Sequence, residues 1–223
     1  MQPPDAFRHI PRVAPAFTFV LSPALAPTAL PPAPDYGPIA LSPKRASFAD
    51  LVMPVHWSQE LHALLRQQNV RQVSFVPDAG HTALIRLCEA DGGMRAVRLT
   101  TEEEGVALAV GAWLGGDKSV LLMQSSGVGN CINMLSMLSV CQIPLTMLVT
   151  MRGDWAEFNP WQVPMGHAAQ AVLEEMGVLV NRADREEDIL PLAEGALRIS
   201  YNTLRPTAVL IGQRLLGAKT FDQ

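Results

Sequence analysis

From residue 57 onward the apolar positions switch repeatedly between two spacings. "WSQELHALLRQQ" places Leu61, Leu64 and Leu65 at three- and four-residue intervals behind Ser58, a pattern that predicts an amphipathic helix capped by that serine. "QVSFVP" is a short β-rich run closed by a proline. Further helices are expected over "HTALIRLCEA", over the stretch led by Glu102, and over "VGNCINMLSMLSV", "HAAQAVLEEMG" and "REEDILPLAEGALRISYN". Strands are expected over "RAVRLT", "KSVLLMQ", "PLTMLVTM", "VLVNR" and "PTAVLIGQ". Six short apolar strands separated by helices of 10–18 residues describe an α/β fold, a six-stranded, mostly parallel sheet with helices on both faces.

In open sheets of this kind ligands gather beyond the carboxyl ends of the strands. That rule selects "VPDAGH" (76–81), "LTTEEE" (99–104), "MQSSGVGN" (123–130) and "TMRGDWAEFNPWQVPMGH" (150–167). These four segments hold nearly all of the chain's unusual residues.

The first fifty-odd residues have no sustained period and are dense in proline. Arg8 and Arg12 ahead of "APAFTFVLSPALA" suggest a signal peptide, but Pro23 interrupts the apolar part and Pro27 follows the small-residue site, which disfavours cleavage. The expectation is a poorly ordered, proline-rich leader over 1–54, ahead of a natural start near Met53, and one α/β domain over 55–223.

Composition narrows the function classes. A net charge of −4 without a basic cluster argues against a nucleic-acid partner. No apolar run approaches the roughly 18–20 residues of a membrane span. Cys88, Cys131 and Cys141 are odd in number and lack CxxC spacing, which reads as reduced packing thiols of a cytoplasmic protein. No group of ligating residues has metal-site spacing.

Glu102, Glu103 and Glu104 crowd the first turn of an otherwise apolar helix, and the next charge is Asp117. The plain explanation is the helix dipole, worth about 0.3–1 kcal/mol for each exposed carboxylate. A Glu at the junction of strand and helix, enclosed by neighbouring loops, could instead share a proton with a ligand nitrogen. "QSSGVGN" reads either as a glycine-rich turn that cradles an anion or as glycines packed tightly on the sheet. It is neither GxGxxG, nor a P-loop, nor the GxSxG elbow of a serine nucleophile. The 150–167 connection is long and carries Arg152 and His167, which either bind an anionic substrate or pair with Asp154 and Glu157.

Taken together, "TEEEGVALAVGAWLGG", "MQSSGVGNCINMLSML" and "MRGDWAEFNPWQVPMGHA" resemble the pyrimidine-binding domain of thiamine diphosphate-dependent 2-oxo acid decarboxylases. The likeness is particularly to the alpha subunit of sulfopyruvate decarboxylase, with phosphonopyruvate decarboxylase a near relative, and it spans roughly residues 55–215. In that family a Glu opens the helix nine residues ahead of a glycine, and counting back from Gly111 places it at Glu102. The resemblance implies that this carboxyl bonds N1′ of the cofactor's aminopyrimidine and favours its 4′-imino form, which takes the thiazolium C2 proton. It implies cofactor contacts at Ser126, Gly127 and Asn130, and substrate contacts at His81, Arg152 and His167, with arginine offering a planar fork to an anionic head group. The family holds the diphosphate and Mg²⁺ with a second domain marked by a GDG…NN motif, which this chain lacks. The resemblance therefore implies a split enzyme: this chain is active only with a separate diphosphate-binding beta subunit. The alternatives are a non-catalytic scaffold or regulatory domain of the same fold, and an unrelated nucleotide-binding α/β domain.

Overall fold

The computed structural model describes residues 56–217. The expected leader lies outside the described residues. One six-stranded sheet forms the centre, and every strand pair in it is parallel, so the sheet is wholly rather than mostly so. The chain runs α1 (His56–Gln67), β1 (Val70–Phe75), α2 (Thr82–Ala90), β2 (Arg95–Arg98), α3 (Glu102–Leu114), β3 (Lys118–Gln124) and α4 (Ser125–Cys141). It continues through β4 (Leu145–Thr150), α5 (Val163–Glu175), β5 (Leu179–Ala183), α6 (Glu186–Thr203), β6 (Pro206–Ile211) and the short α7 (Gln213–Leu216).

Strand order across the sheet is β2-β1-β3-β4-β6-β5. Its interior strands β4 and β6 are buried at every position, as expected of strands covered on both faces. On one side Val120, Leu122, Leu148, Val209 and Ile211 meet Leu61 and Leu65 of α1, Leu84 of α2 and Ile189 of α6. On the other, Leu121, Met123, Met147, Val149 and Leu210 meet Val106 of α3, Leu135 of α4 and Leu173 of α5. The one-residue alternation along β3 and β4 thus feeds two separate cores. Among the described residues no helix is long and apolar enough to cross a membrane.

Three local expectations are corrected. Ser58 lies inside α1 rather than ahead of it, and its buried hydroxyl has no partner among the described residues. "SSGVGN" is no turn: α4 begins at Ser125, directly after the last residue of β3. The 150–167 connection is irregular only over 151–159. A 3₁₀ turn at Pro160–Gln162 then leads into α5 at Val163, with Pro164 in the first turn, where its missing N–H costs nothing.

Candidate active site

The carboxyl edge of the sheet brings the starts of α3 and α4 side by side. Thr101 is extended (φ −143°, ψ 153°) and the helix begins at Glu102, so the chain turns sharply from β2 and directs the first carboxylate inward. Glu102 is buried, with 7% exposure, whereas Glu103 and Glu104 face solvent. Glu104 reaches back to accept the Thr100 N–H, just ahead of the helix, at 2.9 Å. Two members of the triplet therefore fit the dipole explanation, and one does not.

What surrounds Glu102 comes from α4. The Asn130 amide donates to Oε2 at 2.7 Å. Gly127 lies against the same carboxylate: a Cβ there would stand 2.5 Å from Cδ of Glu102. Glycine in the first turn of α4 is thus what admits the side chain between the helices. An ionised carboxylate has about four acceptor positions, and among the described residues Asn130 fills one. The Cys131 thiol nearby is pushed up to about 12 by burial, and next by the charge of Glu102, which leaves it protonated and unreactive at neutral pH. Gly127→Ala is expected to swing the carboxylate off Asn130 while the fold survives, because the displaced atoms belong to the Glu102 side chain and not to backbone. The Asn130 side-chain amide resonance should shift by that displacement, with an unchanged circular dichroism spectrum.

The other residues singled out from sequence fall in different places. Ser126 is half-buried and donates to Oε1 of Gln124 at 2.9 Å. His81, ahead of α2, is fully buried. Its Nε2 bonds the carbonyl of Leu148 at 3.0 Å, and its Nδ1 has no partner among the described residues. Burial holds its pKa below the usual range, so the ring is neutral. Of the two readings for Arg152, pairing is what the structure shows. Both arms of its guanidinium bond Glu157, at 2.6 and 2.5 Å, and its plane lies over Phe158. That pair takes two of the five guanidinium N–H groups. Asp154 pairs with Arg182, and His167 sits exposed on α5.

Sequence reading missed two polar anchors. Gln213, just past β6, accepts the N–H groups of Asp154 and Trp155 and donates to Glu157 at 2.9 Å, fixing the loop after β4. Asp78, just past β1, is bonded by Gln124 and Thr150 from the ends of β3 and β4. Their partners lie 46 to 72 residues away along the chain, so no local spacing announces them. Their position at strand ends was the available signal.

Among the described residues no group of three His, Cys, Asp or Glu is arranged to hold a metal ion. The site offers instead a buried, under-used carboxylate beside a backbone surface cleared by glycine, which suits a flat ligand with a ring nitrogen.

Comparison with known proteins identifies that ligand class. Residues 56–175 match the family model described as thiamine pyrophosphate enzyme, N-terminal TPP binding domain. The sulfopyruvate decarboxylase subunit alpha of Methanococcus maripaludis is 32% identical over 155 residues, covering 69% of this chain and 93% of the relative. The phosphonopyruvate decarboxylase of Streptomyces hygroscopicus is 30% identical over 175 residues, covering 74% of this chain but 42% of that protein. Among solved structures, a 2-oxoglutarate:ferredoxin oxidoreductase from Magnetococcus marinus superposes with a TM-score of 0.60 at 16% identity, over 71% of this chain and 29% of the other, a likeness of fold. The chain belongs to the thiamine pyrophosphate enzymes, in the N-terminal TPP binding domain family and its branch of decarboxylase alpha subunits.

Proposed function

We propose that this chain is the alpha subunit of a split decarboxylase for an anionic 2-oxo acid, sulfopyruvate- or phosphonopyruvate-like, and that it is active only with a separate diphosphate-binding beta subunit. The observation that carries the proposal is the Glu102 carboxylate, buried at the sheet's carboxyl edge and bonded by Asn130 over Gly127. Bound thiamine diphosphate supplies a nucleophilic carbon and an electron sink for loss of CO₂. Glu102 holds and returns one proton at the cofactor's ring nitrogen. Asn130 fixes which carboxylate oxygen faces the ligand, and Gly127 leaves room for the Glu102 side chain between the helices. The reacting carboxyl is thereby preorganised rather than recruited from solvent.

Two observations support the need for a partner. The match takes in 93% of a relative named as an alpha subunit, but 42% of the phosphonopyruvate decarboxylase. On α3, the helix that carries Glu102, the exposed face holds Ala107, Leu108, Gly111 and Leu114, the last 78% exposed. Helices apolar on every side are ordinarily covered. The diphosphate and Mg²⁺ are assigned to that partner.

Affinity purification of the tagged full chain from its own cells, followed by mass spectrometry, tests this. A stoichiometric polypeptide with a GDG…NN motif is the expected companion. Recovery of the chain alone, or with an unrelated protein, would overturn the split-enzyme reading in favour of a non-catalytic scaffold.

A further inference from the structure

Strand order reverses between β1 and β3, which makes the crevice between their carboxyl ends the switch point of the sheet. Asp78 spans it. Its carboxylate accepts the Gly80 N–H at 3.1 Å, the Thr150 hydroxyl from the end of β4 at 2.5 Å, and the Gln124 amide from the end of β3 at 3.0 Å. Gln124 immediately precedes α4, makes no side-chain cap bond to it, and uses its other amide atom to accept the Ser126 hydroxyl at 2.9 Å. From the opposite side Ser125 exchanges two bonds with the backbone of Arg152, at 3.0 and 3.2 Å.

The connection from β3 to α4 has no loop residues, so the direction of the helix is set at Gln124. Asn130 lies six residues further, about 9 Å along the axis. A tilt of roughly 10° at Gln124 would move Asn130 by about 1.5 Å, more than its 2.7 Å bond to Glu102 can absorb. We propose that Asp78 is a positioning residue for the reacting carboxyl: through Gln124 and Ser126 it fixes the first turn of α4, and so holds Gly127 and Asn130 against Glu102. The inference rests on the role of Glu102 given under Proposed function. Asp78 itself touches neither Glu102 nor Asn130.

The test compares Asp78→Ala with Asp78→Asn in the full chain. An asparagine can keep the link if the Gln124 amide turns over, its oxygen accepting from the new amide and its nitrogen donating to Ser126. The first readout is the Asn130 side-chain amide signal in a ¹⁵N-labelled sample, assigned by its loss in Asn130→Ala. The signal is expected to move in Asp78→Ala and to stay in Asp78→Asn. With the partner subunit present, kcat should fall by about 10–100-fold in Asp78→Ala with KM nearly constant, and recover in Asp78→Asn. A folded Asp78→Ala with an unmoved Asn130 signal overturns the proposal, as does an Asp78→Asn that is equally disruptive. Should Asp78→Ala not fold, Gln124→Met keeps the bonds of Asp78 to Gly80 and Thr150 and breaks only the link. It should displace the Asn130 signal, and an unmoved signal overturns the proposal. If the signal responds as expected but the wild-type pair releases no CO₂, the positioning role stands and the decarboxylase reading fails.

Discussion

Glu102→Gln is expected to lower CO₂ release by the assembled enzyme by about 10²–10⁴-fold, the range for loss of a positioned acid–base group. The substitution is chosen for what it preserves. Glutamine has the same shape, and its carbonyl oxygen can still accept from Asn130, where Oε2 now does at 2.7 Å. The buried pocket beside Gly127 stays filled, so stability should change by no more than about 1 kcal/mol, an ordinary value for a near-isosteric change. What is lost is the capacity to hold and return a proton. Glu103→Gln is the matched control, one residue along on the exposed side of the same turn. It removes a charge near the dipole and should leave the rate within about twofold, since an exposed first-turn carboxylate contributes only about 0.3–1 kcal/mol. Equal losses in the two variants, or an active Glu102→Gln, would dissociate the chemistry from Glu102.

The second large effect concerns stability. Glu157→Ala should destabilise the chain by about 3–5 kcal/mol, the usual cost of removing one partner from a buried ion pair. Arg152 and Glu157 have side-chain exposures of 12% and 3%, so each charge has little water to fall back on. The same carboxylate accepts from the backbone of Gly153 and Asn159 and from Gln213, so the loop after β4 loses its organising acceptor at a stroke. Gly153 sits at φ +79° against the backbone of Gln162, which leaves that loop little freedom to repack. A marginal total of about 5–15 kcal/mol makes the change visible as a large drop in Tm. The pair also predicts a pH profile. Arg152, by its hydrogen bonds, holds the Glu157 carboxyl down at about 2, against an ordinary 4.5. The unfolded chain therefore binds this proton more readily than the folded one, and the contribution is complete above pH 4.5 and lost as pH falls from there toward 2. Melting curves across that window should show a steeper decline for the wild type than for Glu157→Gln, which has nothing to titrate. Parallel profiles would mean that the pair is not what holds the loop.

The sheet was legible because β3, β4 and β6 are apolar on both faces, and such runs separated by helical spacing admit few architectures. Strand order was not legible, since it depends on which strands pair across long separations. The start of α4 was misread for a physical reason. Ser-Ser-Gly-Val-Gly has weak helix propensity, and its glycine at 127 is present for the carboxylate of a different helix. A local rule broken there is what a functional site leads one to expect. Arg152 was placed at the right edge with two readings left open, because sequence cannot tell a free guanidinium from one bonded five residues later. Asp78 carried no signal beyond its place after a strand.

CO₂ release from sulfopyruvate and phosphonopyruvate, measured with thiamine diphosphate and Mg²⁺ for this chain alone, for the copurified diphosphate-binding subunit alone and for the two together, tests the central claim most directly. Release by the pair, absent from either chain alone and abolished by Glu102→Gln, is the expected result. Release undiminished without this chain, or from a pair carrying Glu102→Gln, would contradict it.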